Sequence, residues 1–328
     1  GELKNPNFQM VVGETIVAKN SLGNYHFAYN GDAQSIRSLG IVSAFFWANF
    51  VTDFIERWIR LSTPTDPPFY LYTHLKNISI NAASQSATAS YSMSVKKLSL
   101  GIYNDSDHSK SPLALSGEII AHELGHANLD FATNHLLLSG IPISLEKKCG
   151  PNPSLQNAPK CCVTPSGCPT ALHEGVADYF VLMVFMSKNG KSNSGEQFVN
   201  SINGESAFGI FSRDPSVHTS MDGQRFFNLR KASDQNTNCL NSAYCGEVHP
   251  MGIFYTSLWY EVRKLADSQF GLEGRNDIDK IFISHLPSLT SSDTFVTAWA
   301  KAMTVSDQYR QGRYSRLFSS EKERRGLR

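Results

Sequence analysis

The sequence predicts an α+β fold, because strand-like segments fill its N-terminal part and helix-like segments fill most of the remainder. Before residue 104, short runs alternate apolar and polar residues, which is the period of half-buried strands. From Ile119 onward, apolar residues recur every three or four positions over longer runs, which indicates helices. We therefore expect a β-rich N-terminal lobe over 1–127 and a mainly helical C-terminal lobe over 128–328, sharing a cleft.

The predicted elements follow the chain in that order. A long helix interrupts the strands, and Ser111 and Pro112 offer a cap and a first-turn proline for the first helix of the second part. Asn189 and Gly190 end the helix that begins near Thr170. Strands are predicted at 9–12, 15–18, 69–73, 78–82, 89–93 and 97–103, and helices at 35–61, 113–137, 170–187, 251–267, 276–287 and 292–309.

Charge and hydropathy exclude two classes of partner. The 328 residues include 30 basic and 29 acidic side chains, a net charge of +1, so nothing points to nucleic acid. No segment approaches the length of a membrane span: the most apolar stretch, 41–54, is interrupted by Ser43, Asn49 and Asp53 and is predicted to be an amphipathic core helix. The mixed charges of 321–328 indicate a solvated tail.

Six cysteines favour disulfide bonds and an oxidising compartment. Four of them lie in a predicted loop insert over 139–169, and the local pair Cys239–Cys245 is expected to close a short loop. A metal cluster in the insert is the weaker alternative, because no Cys-x-x-Cys pair occurs there. No signal peptide or long prosegment is visible, so we expect a mature catalytic unit that is secreted or otherwise extracytoplasmic. The insert cysteines are Cys149, Cys161, Cys162 and Cys168.

The sequence His-Glu-Leu-Gly-His at 122–126 is the strongest functional motif. Histidines four residues apart on a helix stand on one face, so His122 and His126 can reach a single metal ion. Glu123 lies beside that ion without having to bind it, where it can deprotonate a metal-activated water. The motif alone leaves a second interpretation open, in which both histidines are polar residues on the partly exposed side of a core helix.

A second helix supplies a candidate for the third ligand that a zinc enzyme needs. Glu174 and Asp178 stand one turn apart in the apolar run 170–186, where buried carboxylates are costly unless they are paired or bind metal. Glu174 as a zinc ligand, and Asp178 as the hydrogen-bond partner of a ligating histidine, would satisfy both. His173 points about 100° away around the helix and is expected to be structural.

This arrangement resembles the gluzincin metallopeptidases of thermolysin-like fold, especially their fungalysin-like branch. In that family H-E-x-x-H is followed by E-x-x-x-D on the next long helix and then by a histidine shortly before another helix. His249 matches that histidine, with a helix expected from about Met251. The segment 44–59 is similar to the long N-terminal helix of these domains. The segment 97–104 is similar to their edge strand, which pairs with extended substrate.

The resemblance implies a zinc endopeptidase that acts on protein or peptide substrates. Zinc would be held by His122, His126 and Glu174, Glu123 would be the general base, and His249 would stabilise the oxyanion. An arginine that binds the substrate carbonyl would be Arg225 or Arg230. The family's exopeptidase motif is absent, and no tyrosine stands between His126 and Asp178 for the family's second oxyanion contact.

Two other function classes remain compatible with these residues. One is a zinc hydrolase of an ester or non-peptide amide, and the other is a non-catalytic binding protein on the same scaffold. The intact Glu123 argues against the second, because a structural zinc site has no use for that carboxylate. A Ca²⁺ site has no motif to support it, since the acidic residues at 104–107 lack calcium-loop spacing and predict a turn.

Overall fold

The fold was analysed in a computed structural model that describes residues 4–12, 15–16, 33–60, 78–82, 84, 88–104, 110–134, 169–189, 248–325 and 327. The described part is α+β, with a small mixed sheet and mostly helical content. The chain divides into two compact units, one from Gly1–Leu61 and Tyr70–Phe131, and the other from Ala132–Glu196 and Arg213–Arg328. The predicted strand at 69–73, Arg225, Arg230 and all six cysteines lie outside the described residues.

The first unit contains a five-stranded sheet in the order β2-β1-β3-β5-β4. β3 pairs in parallel with β1 and β5, and the two outer strands pair antiparallel with their neighbours. Met10, Ile80 and Leu98 are aligned across the three central strands and are fully buried, so one face of the sheet forms the core. The strands are β1 Phe8–Val12, β2 Thr15–Ile16, β3 Ile78–Asn81, β4 Ala89–Ser92 and β5 Lys97–Leu100.

The prediction of one edge strand over 97–104 is wrong. The chain breaks at Gly101: Lys97–Leu100 becomes β5, and Ile102–Asn104 becomes β6, which pairs with β7 (Lys110–Pro112) in a separate two-stranded ribbon. β5 is an interior strand, since it pairs with β3 on one side and β4 on the other. Alternating apolar residues predict a strand with one buried face, but they do not tell whether a second neighbour pairs with it.

Helix α1 (Ala33–Arg60) packs on the sheet of the first unit. Its fully buried side chains recur at intervals of three and four, as in an amphipathic helix that covers a core. They are Ile41, Ala44, Ala48, Val51 and Ile55. The prediction that no segment approaches the length of a membrane span is wrong for this helix, because the 18-residue window Ser38–Ile55 is long and apolar enough to cross a membrane. One such helix is weak evidence for a span, since the core helix of a globular protein has the same length and composition.

The described part of the second unit contains four α-helices. α3 (Pro169–Asn189) packs along α4 (Val248–His285), and α5 (Phe295–Gln308) and α6 (Ser315–Arg325) pack on α4. The fully buried Trp259 of α4 lies at the centre of this unit, in ring contact with Tyr179, Phe282, Trp299 and Phe318. These aromatic contacts join all four helices into one core.

Helix α4 is interrupted at Gly271, which has φ 64° and ψ −153°. Glycine adopts this conformation readily, whereas a residue with a side chain would be strained in it. The helix is therefore interrupted at a glycine. The two predicted helices 251–267 and 276–287 are therefore the two arms of α4, on either side of Gly271. Their prediction is confirmed, although the arms are longer than the apolar periodicity indicated.

The prediction of a solvated tail at 321–328 is wrong. Glu321 and Arg325 belong to α6, their side chains are almost fully buried, and Arg325 Nε donates to Glu321 Oε1 at 2.8 Å. Arg324 donates to both oxygens of the same carboxylate. The pairing of these charges on successive turns lets a strongly charged segment pack with Phe318 against the core.

Candidate metal centre

Helix α2 (Gly117–Ala132) carries His122, Glu123 and His126. Ser116 caps its first turn, because its hydroxyl accepts a hydrogen bond from the amide of Ile119 at 3.3 Å and donates to Glu118 at 3.1 Å. The helix therefore starts after the strand β7, in which Ser111 and Pro112 lie, and their predicted capping role is wrong. The 3-10 turn Leu113–Leu115 separates the strand from the helix.

The two histidines of α2 stand on one face, as their spacing predicted. The centroids of their rings are 4.5 Å apart and the ring planes meet at 82°. His122 and His126 are each 8% exposed, and Glu123 between them is 5% exposed. The alternative in which both histidines lie on a partly exposed helix side is therefore wrong.

Glu174 of α3 completes a cluster with the two histidines. One ligand atom from each of His122, His126 and Glu174 lies within 4.8 Å of the other two, and all three residues are buried. Two imidazole nitrogens and one carboxylate oxygen are donors typical of catalytic zinc sites, which leave a fourth position open. The residues therefore fit a zinc ion. Among the described residues, no other cluster of three His, Cys, Asp or Glu has this geometry.

The fold of this chain is similar to that of solved structures. The chain resembles the solved structure of the precursor of protealysin, a metalloproteinase from Serratia proteamaculans. The TM-score is 0.56 at 12% sequence identity, and the match covers 98% of this chain and 87% of the other. At this identity the likeness to the protealysin precursor shows the fold alone. No protein-family model matches the sequence, and no curated protein matches it.

Asp178 stands one turn after Glu174 in α3, and its side chain is 6% exposed. Two carboxylates on successive turns of a buried helix face need compensation from hydrogen bonds or positive charge. His173 is also buried. Glu174 and Asp178 thus occupy the buried helical positions predicted for them, and their roles as ligand and as partner of a ligand remain predictions.

Two buried carboxylates of α2 were not singled out from the sequence. Glu118 precedes His122 by one turn, and Asp130 follows His126 by one turn. Four buried side chains therefore stand on successive turns of the helix: a carboxylate, two imidazoles and a second carboxylate. Burial, and next the Asp130 carboxylate, raise the pKa of the Tyr91 hydroxyl well above its usual range. The signal that could have found them is the spacing of four residues on either side of the histidines.

His249 lies in the first turn of α4, which begins at Val248 rather than near Met251. Pro250 allows this early start, because a first-turn residue needs no backbone N–H for the helix hydrogen bonds. His249 is thus part of the helix, and the prediction that it precedes the helix is wrong. Its proposed contact with substrate stays a prediction.

Proposed function

We propose that this protein is a zinc-dependent endopeptidase of the gluzincin type, in which His122, His126 and Glu174 hold the zinc ion. The observation that carries the proposal is the convergence of these three buried donors within 4.8 Å. The sequence order of H-E-x-x-H, E-x-x-x-D and His249, which is typical of the fungalysin-like branch, supports it further. So does the fold shared with a metalloproteinase precursor.

In the proposed mechanism, zinc supplies a Lewis acid that acidifies water and polarises the scissile carbonyl group. Glu123 takes the proton of the attacking water and delivers it to the leaving nitrogen. Glu123 neighbours His122 on α2, and its side chain is buried, as those of the proposed ligands are. A buried carboxylate keeps a fixed orientation, so proton transfer needs little rearrangement.

Two further residues have supporting roles in this proposal. Asp178 accepts a hydrogen bond from the second ring nitrogen of a ligating histidine and so fixes the orientation of that ring. His249 donates a hydrogen bond to the oxyanion that develops on the carbonyl oxygen. Neither residue is needed to complete the ligand set, so each can be tested without removing a ligand.

We also propose that the protein works in an extracytoplasmic compartment, because its cysteine count is even and four cysteines cluster in one predicted insert. Peptide mapping without reducing agent should recover Cys239 linked to Cys245, and the insert cysteines linked to one another. Recovery of six free thiols from oxidised protein would contradict this assignment.

The test of the function compares wild type with Glu123→Gln and with Glu273→Gln as a matched control. Glu273 is an exposed carboxylate that pairs with Arg310 on the surface, so the same chemical change there should be silent. We expect about one zinc per chain in all three proteins, and casein hydrolysis that 1,10-phenanthroline abolishes in the two active ones. Glu123→Gln should lose nearly all activity, because an amide cannot accept the proton.

Two results would reject the proposal. One is wild-type protein without tightly bound metal whose activity 1,10-phenanthroline does not affect. The other is Glu123→Gln protein that cleaves casein at the wild-type rate. Hydrolysis of simple esters without hydrolysis of unfolded protein would indicate the non-peptide hydrolase instead.

A further inference from the structure

Two glycines form the contact between α3 and α4 beside the proposed ligand Glu174. A Cβ atom placed on Gly175 would stand 2.5 Å from the carbonyl oxygen of Gly252 and 3.0 Å from Cβ of Tyr255. A Cβ atom placed on Gly252 would stand 2.7 Å from Cβ of Glu174 and 2.7 Å from the amide nitrogen of Gly175. Real Cβ atoms do not approach backbone this closely, so a side chain at either position would separate the helices.

Helix propensity does not account for these residues. Glycine weakens a helix relative to alanine, and Gly175 stands well inside the 21 residues of α3. The backbone of α4 reaches the backbone of α3 only because both positions lack side chains. This close approach of the two backbones occurs next to Glu174.

Thr256 adds a polar link at the same level of the two helices. Its fully buried hydroxyl lies 2.9 Å from the carbonyl oxygen of Gly175 and 3.3 Å from that of Gly252, one turn earlier in its own helix. The hydroxyl therefore donates across the helix contact to Gly175 or back to Gly252. A buried donor of this kind resists both sliding and separation of the helices.

We propose that Gly175, Gly252 and Thr256 form a helix clamp that positions Glu174 for zinc binding against the α4 backbone at Gly252. This inference rests on the proposed function, in which Glu174 is a zinc ligand. The three clamp residues are positioning residues, since they act through Glu174. The Cβ atom of Glu174 lies so close to Gly252 that the α4 backbone limits the position of the Glu174 side chain, and with it that of the carboxylate.

The alternative is that the clamp only stabilises the second unit. Gly274 provides the control, because it is equally crowded but lies away from Glu174. A Cβ atom on Gly274 would stand 2.4 Å from the carbonyl oxygen of Ala266 and 2.7 Å from Cβ of Phe270, both in the other arm of α4. Gly274→Ala should therefore cost stability without moving α3 relative to α4.

The experiment uses the full chain and compares Thr256→Val, Thr256→Ser, Gly252→Ala and Gly274→Ala with wild type. The zinc dissociation constant is measured by competition with a chromophoric chelator, at a temperature where every variant is folded, together with Tm, kcat and KM. We expect Thr256→Val to weaken zinc binding about tenfold, as expected for loss of support around a ligand, and Thr256→Ser to restore it. Gly252→Ala should weaken it further, whereas Gly274→Ala should lower Tm and keep zinc affinity within about twofold.

The outcomes separate the clamp from the zinc function. If wild type binds zinc and Thr256→Val binds it equally well, the clamp is rejected and the function stands. If Thr256→Ser binds zinc as weakly as Thr256→Val, the role of the hydroxyl is rejected. If wild type binds no zinc, both proposals are rejected. The threonine pair decides the matter even where Gly252→Ala does not fold.

Discussion

Arg263 Nε and Asp279 Oδ1 form a 2.8 Å ion pair, although sixteen residues separate them along α4. In a straight helix, sixteen residues would span about 24 Å, so the chain must reverse at Gly271. α4 is therefore a helical hairpin, and its two arms meet through buried polar groups. Tyr179 of α3 donates a 2.8 Å hydrogen bond to the same carboxylate, which ties the hairpin to the helix of Glu174 and Asp178.

Removal of the Asp279 carboxylate should destabilise the protein more than removal of the Tyr179 hydroxyl. Asp279→Ala removes the carboxylate that pairs with the buried Arg263 guanidinium, which costs about 3–5 kcal/mol of unfolding free energy. Tyr179→Phe removes one hydrogen bond to a carboxylate that Arg263 still holds, which costs about 1.5–3 kcal/mol. Urea denaturation at pH 7 measures both. Asp279→Ala also removes the acceptor of the Tyr179 hydroxyl, so equal losses would show that the ion pair adds nothing to the stability.

Acid should destabilise the wild type more steeply than His285→Gln. Burial lowers the pKa of His285 from 6.5 to about 3, and the Nδ1–H that faces the Phe282 carbonyl leaves Nε2 to accept from the Tyr255 hydroxyl at 2.7 Å. Between these two pKa values the unfolded chain binds a proton that the folded chain does not. The contribution of neutral His285 to the free energy of unfolding is therefore fully present above pH 6.5 and is lost as the pH falls towards 3. The slope attributable to His285 is about 1.4 kcal/mol per pH unit.

The measurement is the free energy of unfolding of zinc-free protein at several pH values between 7 and 4. All other titrating groups are shared, so the difference between wild type and His285→Gln isolates this histidine. Parallel pH dependences for the two proteins would show that His285 keeps its ordinary pKa in the fold.

Asp178→Ala should weaken zinc binding by about 10–100-fold, because a ligating histidine would lose the acceptor that fixes its ring. Asp178→Asn retains one acceptor oxygen of nearly the same shape, so its zinc affinity should lie between those of wild type and Asp178→Ala. Chelator competition gives the three dissociation constants. Unchanged affinity in Asp178→Ala would remove this residue from the site.

His249→Ala should lower kcat by about 10²–10³-fold and change KM little, because its proposed contact forms only when charge develops on the carbonyl oxygen. Zinc content and Tm should remain those of wild type. Loss of zinc from this variant would make His249 a ligand and require a new role for Glu174. Unchanged kcat would make it a histidine without catalytic function.

The parts of the fold that depend on local period were predictable from the sequence. β1, β3 and β4 lie within a residue of their predicted bounds, and α3 covers the predicted run around Glu174 and Asp178. The clustering of His122, His126 and Glu174 was also predictable, because helical spacing fixes two of the three and a buried carboxylate requires a partner.

The remaining features depend on which segments meet in space. The break at Gly101 and the interior place of β5 are decided by pairing with β3 and β4, which alternation does not encode. Burial of Glu321 and Arg325 depends on their mutual pairing and on the surface that α6 covers. In the sequence, Gly175 and Gly252 are residues that weaken a helix. Their role is visible only when both helices are known, because the absence of side chains lets the two backbones come close together.

The reversal at Gly271 also bears on the order in which this protein folds. The contacts that close the hairpin, Arg263 with Asp279 and Tyr255 with His285, join residues only sixteen and thirty positions apart. Short loops close at a lower entropic cost than long ones, so the hairpin can form before α3 joins it. Glu174 would then reach its final place late in folding. We expect zinc to slow unfolding while leaving the refolding rate unchanged, which stopped-flow measurements with and without zinc can decide.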